Sequence, residues 1–205
     1  MNKPPICHQK IKLIDAYWIP APAGIKGFGI KVLRKVRKYY IFMHSGPFVP
    51  PTKTNIKFDR YDYFDDIPNA VKQTIITNEG MESLENERLE MMHGATMWAG
   101  LVDGQVAHIK LIRYGKDFKR WFIDLDDNDI VLFRERTYPK YRGRSIQAAV
   151  TRHILYNLLQ NGGRAYIDCN IHNISSIRGI FKSGFEKIAT VKPITRKQAL
   201  GVDHE

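Results

Sequence analysis

The residues able to do chemistry in this 205-residue chain are concentrated between Asp129 and Phe185. Asp129–Tyr138 (DIVLFRERTY) reads as a strand whose apolar centre, Ile130–Phe133, is continuous, so both of its faces should be covered. It feeds the loop Tyr138-Pro139-Lys140-Tyr141-Arg142-Gly143-Arg144-Ser145-Ile146-Gln147, which runs straight into a helix. A strand, a glycine-containing loop and a helix N-terminus together present free amide N–H groups and the positive end of a helix dipole. That is an anion site, suited to a pyrophosphate, and Arg142 and Arg144 add charge beside it. The same residues also describe a plain helix start, N-capped by Ser145 and carrying two solvated arginines. The pattern alone leaves both readings open.

The order of motifs resembles the GNAT superfamily of acyl-CoA-dependent N-acyltransferases. The match runs through Pro139-Lys140-Tyr141-Arg142-Gly143-Arg144, then Asn173, Ser176 three residues later, and Gly184-Phe185 closing a short helix. It covers residues 129–185; the first 60 residues lie outside it. The resemblance implies an α/β (α+β) fold with a mixed, mostly antiparallel central sheet flanked by helices. It implies an acetyl (acyl) transfer from acetyl-CoA to an amine acceptor by direct attack, with no metal. The backbone of Glu135, Arg136 and Thr137 would hydrogen-bond the pantetheine arm. The amides of Arg142, Gly143, Arg144, Ser145, Ile146 and Gln147 would cradle the pyrophosphate, and Asn173 would contact the arm. Strands four and five would splay apart to admit the thioester. The chain departs from the family's pattern at Ser145 and Gln147, where glycines are usual, and at Ile180, where many members carry a proton-donating Tyr. Water or another group would then protonate the leaving thiolate.

Such a transfer needs a base, an oxyanion donor and two reactants held in line. Period-two alternation puts Asp129, Val131, Phe133, Glu135 and Thr137 on one strand face. Glu135 is the first candidate base, lying deeper towards the expected thioester, and Asp129 the second. Either could equally be a carboxylate paired with Arg134, Arg136 or Arg120. Tyr138 could donate a proton or simply pack. Cys169 and His172 are three apart on a strand and fall on opposite faces, so Cys169 reads as a small buried side chain. The seven histidines form no HxxxH pair, which argues against zinc.

Elements that must position these residues are legible around them. Tyr39–Met43 reads as a strand. Asp66, as N-cap, and Pro68 open a helix that Asn78 and Gly80 close; an acidic helix, Met81–Met92, follows and reads as a solvated face. MWAGLV and QVAHIKLIRY flank Asp103-Gly104 as a hairpin, and WFIDL reads as a further short strand. Ile146–Asn161 and Asn173–Ser183 read as helices, Ala165–Ile171 and Phe185–Val191 as strands. The expected organisation is a basic extension over 1–38, a GNAT-like domain over 39–192 and a tail over 193–205.

Charge then separates the partners. The chain carries 32 Lys+Arg against 21 Asp+Glu, a net of +11. Residues 1–60 hold 12 against 2, residues 61–96 hold 2 against 8, and residues 97–205 hold 18 against 11. An anionic cofactor accounts for Arg134, Arg136, Lys140, Arg142 and Arg144 without nucleic acid, for which no recognised module is present. Ile25–Lys38 has the pattern of a basic amphipathic helix, suited to a membrane surface or to packing on its own domain. A catalytically degenerate binding module, docked through that helix on a membrane or nucleic acid, is the competing function class. Two cysteines, no apolar leader and no stretch approaching about 18 apolar residues point to the cytoplasm, with the membrane surface as an alternative site of action.

Overall fold

The computed structural model describes residues 38–48, 55–118, 121–160 and 162–192. The basic helix expected over Ile25–Lys38 lies almost wholly outside them, as does the tail after 192. In chain order the elements are β1 (Tyr39–His44), β2 (Ile56–Tyr61), α1 (Asn69–Glu79), α2 (Met81–Met92), β3 (Thr96–Val102), β4 (Gln105–Tyr114), β5 (Ile130–Thr137), α3 (Ile146–Leu158), β6 (Ala165–Asn170), α4 (Ile174–Lys182) and β7 (Glu186–Val191). The strands form one sheet in the order β2-β3-β4-β5-β6-β1-β7. Only β5 and β6 run parallel. The sheet is therefore mixed and mostly antiparallel, with helices against it, as the sequence leads one to expect.

Local chemistry explains the best-defined parts. Asp103 (φ 51°) and Gly104 (φ 73°) both take left-handed conformations, the type I′ geometry that matches the twist of the β3–β4 hairpin. β5 is buried from Ile130 to Phe133 because it is central and covered on both sides. Ile130 and Leu132 pack in the large core that includes Val150 and Ile154 of α3. Val131 packs in a second cluster with Trp121, Phe122, Tyr166 and Ile41.

Three expectations are corrected. Asp66 lies in a short turn, and α1 begins beyond Pro68, with no side-chain cap. Trp121–Ile123 is a buried irregular segment, not a strand. It packs on the face of β5, whose two edges are already taken by β4 and β6, so no ladder is open to it. The acidic helix α2 is not simply a solvated face: Glu87 is fully buried.

Two irregularities shape the functional region. Ile109 pairs with Arg136 but Leu111 pairs with Phe133, so Arg134 and Glu135 together oppose Lys110. This is a β-bulge, and Arg134 sits at φ 46°, a costly conformation for a residue with a Cβ. The bulge inverts the alternation. Leu132 lies opposite Ile112 and Thr137 opposite His108, which puts Glu135 and Thr137 on the α3 side with Ile130 and Leu132 rather than with Val131. In addition, β5 and β6 pair only at Ile130–Ala165, Val131–Tyr166 and Leu132–Ile167. Beyond Leu132 the two strands part.

Helix α3 is seated on the sheet at Gly100, where an added Cβ would lie 2.6 Å from Val150 Cγ2. We expect Gly100→Ala to destabilise the protein by about 1–3 kcal/mol, read from the urea midpoint at unchanged slope.

Candidate functional site

Where β5 and β6 diverge, the sheet has an opening that continues into a cavity of about 920 Å³. Strand pairing assigns its walls to two faces. Asp168 sits opposite Ile41, and Asn170 opposite Tyr39, on the face that carries Val131 and Trp121. Asn86 and Glu90 of α2 line the cavity at that end. On the other face are Glu135, Cys169, Gln147, Asn173 and Ser176, all lining the same cavity. The backbone from Phe133 to Thr137, no longer paired to β6, borders the opening.

Glu135 is held, not free. Its Oε2 lies 2.6 Å from Nζ of the fully buried Lys110, which also donates to Thr151 Oγ1 on α3. Its Oε1 accepts from Ser176 Oγ at 2.7 Å and from Gln147 Nε2. Burial opposes its charge, but Lys110 and the hydrogen bonds from Lys110 and Ser176 outweigh burial and hold the carboxyl below the usual carboxylate range. A carboxylate stabilised in this way is a weak base. His108 beside it is fully buried, with Nδ1 2.8 Å from Thr137 Oγ1. Burial first, then the charge of Lys110, pushes its imidazole down to about 3, so it is neutral.

Asp168 has the opposite character. Apart from its own backbone, it takes no side-chain hydrogen bond or ion pair among the described residues, and it faces the cavity. Burial, reinforced by the charge of Glu135, raises its carboxyl to about 6.

The other expected proton-transfer residues lie elsewhere. Asp129, 1% exposed, is at the paired end of β5. Its Oδ1 accepts from the Arg164 amide (2.9 Å) and Nε (3.1 Å), and its Oδ2 from the Asp126 amide (2.9 Å) and an Arg164 terminal nitrogen (2.8 Å). It does not line the cavity. Tyr138 donates to Glu79 Oε1 at 3.1 Å and lines a separate groove beside α1; burial pushes its phenol up. Both are structural because charged partners occupy them first. The Cys169 thiol is buried and pushed up to about 11, which leaves it protonated and inert.

The loop 138–147 forms a second hollow of about 350 Å³, walled by Arg142, Gly143, Ser145, Ile146 and Gln147 on one side and by Arg178, Gly179 and Lys182 of α4 on the other. Gly143 (φ 77°) and Ser145 (φ 56°) turn the chain onto the axis of α3. Ser145 makes no side-chain cap; its left-handed backbone points the hydroxyl instead towards Lys182 Nζ, 3.5 Å away. Arg142 Nε donates to the Thr137 carbonyl at 3.1 Å, and the Arg144 guanidinium lies 5.9 Å from the Tyr141 ring. Ile146 is buried and anchors the helix start. Asn173 caps α4, its Oδ1 accepting from the Ser176 amide at 3.2 Å.

Not all of the expected positive charge is here. Arg134 and Arg136 turn to the α2 side, where both donate to Glu87 Oε1, at 3.0 and 2.7 Å; Arg136 also pairs with Glu79. Lys140 donates to Gln105. Arg178 and Lys182, which the sequence reading passed over, replace them at the hollow. Asp168 and Lys110 were also missed; the available signal was that Asp168 is a lone charge inside an apolar strand and that Lys110 stands between Ile109 and Leu111 in an apolar run. Ile180 is buried. Among the described residues no cluster of His, Cys, Asp or Glu could hold a metal ion, and no helix is long and apolar enough to cross a membrane.

No protein-family model matches the chain, and none of the curated proteins matches it. Solved structures do. A GNAT-family acetyltransferase from Colwellia psychrerythraea superposes with a TM-score of 0.56 at 11% identity, over 75% of this chain and 53% of that one. A GCN5-related N-acetyltransferase from Sphaerobacter thermophilus gives 0.52 and 11%, over 79% and 53%. A tandem GNAT protein from the clavulanic acid biosynthesis pathway gives 0.52 and 12%, over 83% and 59%. This chain spans between about half and three-fifths of those proteins' length, and at such identities the likeness establishes the fold.

Asp129→Ala should cost about 2–3 kcal/mol in chemical denaturation, since it orphans two amides and the Arg164 guanidinium. Because Asp129 lies outside the cavity, ligand affinity of the folded variant should be unchanged by calorimetry.

Proposed function

We propose that this GNAT-fold chain is an acyltransferase that moves an acyl group from an acyl-CoA donor to a primary amine. The carrying observation is the opening between β5 and β6, which joins a cationic hollow on one face of the sheet to an unpaired carboxylate on the other. The residues present fit the donor. The start of α3 offers amide N–H groups, and Arg142, Arg144, Arg178 and Lys182 offer positive charge, for the pyrophosphate. The unpaired edge of Phe133–Thr137 offers backbone donors and acceptors for the amides of the pantetheine arm. Bound there, coenzyme A supplies the activated thioester; the rest is done by this chain.

In this reading the acceptor enters from the α2 side. Asp168 receives its ammonium and takes one proton, leaving the nitrogen lone pair free to attack the thioester carbonyl. As the C–N bond forms, the C–S bond breaks and sulfur leaves with the bonding pair. The nitrogen's second proton passes through water to the thiolate, giving the amide and free CoA thiol, in keeping with the buried Ile180 where a tyrosine would stand, and Asp168 returns its own proton to solvent. Glu135, tied to Lys110, positions β5 against α3 rather than moving a proton. This shifts the base from Glu135 and Asp129 to Asp168. Glu90, which also lines the cavity, is ion-paired with Arg113 at 2.5 Å, so the uncompensated negative charge at the acceptor mouth is that of Asp168.

The test is turnover with acetyl-CoA and an amine library, monitored by release of free CoA. With the best acceptor, kcat/KM should rise about tenfold per pH unit below about 6 and level off above it, following the carboxyl of Asp168. Asp168→Asn should lower kcat by about 10²–10⁴ and abolish that limb while leaving acetyl-CoA affinity within about twofold. An unchanged pH limb in Asp168→Asn would remove it as the base. Failure of millimolar acetyl-CoA to raise the melting temperature would remove the acyltransferase reading as a whole.

A further inference from the structure

Glu87, on α2, is fully buried and serves two arginines of β5 at once. Its Oε1 accepts from Arg134 Nε at 3.0 Å and from Arg136 Nη2 at 2.7 Å, while its Oε2, equally buried, has no hydrogen-bond partner among the described residues. A glutamine carbonyl could accept the same two bonds. What the carboxylate adds is negative charge, kept in the interior with one oxygen left unsatisfied. That charge stands where two guanidiniums need it. Arg136 has a second carboxylate, Glu79, but Arg134 has no other among the described residues. Both arginines line the cavity that Asp168 faces, and both lie beyond the last β5–β6 pair.

The charges at this mouth therefore cancel in pairs. Glu79 and Glu87 match Arg136 and Arg134, Glu90 matches Arg113, and Asp168 is left over. The other groups lining the cavity do not change that balance. From β5, Glu135 is paired with Lys110; from β4, His108 is neutral; Cys169 beside Asp168 is protonated; and β1 contributes the Tyr39 phenol. Arg142 enters from the loop at the donor end, where its Nε donates to the Thr137 carbonyl.

We infer that Glu87 is a positioning residue for the acceptor: by holding and neutralising Arg134 and Arg136, it leaves Asp168 as the uncompensated charge that draws a cationic amine into the cavity. This rests on the acyltransferase reading above and adds the residue that keeps its acceptor face anionic. Glu87 touches no substrate and moves no proton. Without its charge, one guanidinium beside the opening lacks a counter-charge. That guanidinium repels the incoming ammonium and stabilises the Asp168 carboxylate, so the titration of Asp168 moves down and the base weakens. Removing the Arg134 charge instead leaves a carboxylate in excess, and both signs reverse. Removing both charges restores the balance.

The experiment is an NMR titration of the Asp168 carboxyl carbon in the ligand-free full chain, beside amine turnover, for wild type, Glu87→Gln, Arg134→Gln and the double variant. Wild type should titrate at about 6. Glu87→Gln should move the midpoint down by about 0.5–1 unit and Arg134→Gln up by a similar amount, as one charge acting across a partly solvated cavity would. With the best acceptor, Glu87→Gln should raise the amine KM about three- to tenfold, while plateau kcat and acetyl-CoA affinity each stay within about threefold. Arg134→Gln should lower that KM, and added salt should narrow both differences. The double variant should return midpoint and KM to near wild type. A merely structural role predicts impairment in both single variants and no rescue in the double. Single variants that leave the midpoint unmoved, or move it the same way, overturn the inference, and so does a double variant as impaired as Glu87→Gln. If Glu87→Gln does not fold, Arg134→Gln decides by itself: an upward midpoint is the expected result, and an unmoved or lowered one overturns the inference. If wild type transfers to no amine, the acyltransferase reading falls and the acceptor role of Glu87 with it. If wild type does transfer and the variants match it in midpoint and KM, only the role of Glu87 falls.

Discussion

Everything at the site depends on β5 and β6 pairing for three residues and no more. Parallel strands in a sheet interior normally stay zipped, since each unpaired backbone group away from water costs about as much as a lost hydrogen bond. Here the parting after Leu132–Ile167 coincides with the bulge that sets Arg134 at a left-handed φ. The bulge redirects the rest of β5, and buried charges pin it on both sides. Lys110 and Thr151 fix Glu135 towards α3, and Glu87 holds Arg134 and Arg136 towards α2. Such pairs contribute little net stability compared with an apolar core, but removing one partner costs several kcal/mol. Their effect is to specify one conformation for a strand segment that has given up half of its ladder.

That arrangement also sorts charge between the faces. The positive groups without a carboxylate partner among the described residues, Arg142, Arg144, Arg178 and Lys182, lie around the start of α3. The face towards α2 presents Asp168, with its arginines already matched by Glu79, Glu87 and Glu90. An anionic donor and a cationic acceptor would approach from opposite sides and meet only at the opening, where the reacting atoms have to be.

The sequence made much of this legible, and the exceptions have physical causes. The hairpin, the continuous apolar centre of β5 and the loop into α3 are local signals, set by turn chemistry and periodicity, and they appear where expected. The faces of β5 could not be read, because alternation counts residues and a bulge inserts one; Glu135 therefore seemed to share a face with Asp129 and does not. The acidic α2 looked solvated because its arginine partners lie 47 and 49 residues away in sequence, on β5. Asp168 was overlooked since its importance comes from what is absent around it, and an unpaired carboxylate is visible only in three dimensions. Gln147 was legible as a departure from a glycine pattern, but the hydrogen bond it makes to Glu135 needed the fold.

The most direct measurement is amide hydrogen exchange of the full chain with and without saturating acetyl-CoA. If the unpaired edge of β5 receives the donor's arm and the start of α3 its pyrophosphate, protection should rise at residues 133–137 and 143–148 and stay unchanged in β2 and β3. Protection elsewhere, with those two segments unaltered, would contradict the proposal that the opening between β5 and β6 is the donor site.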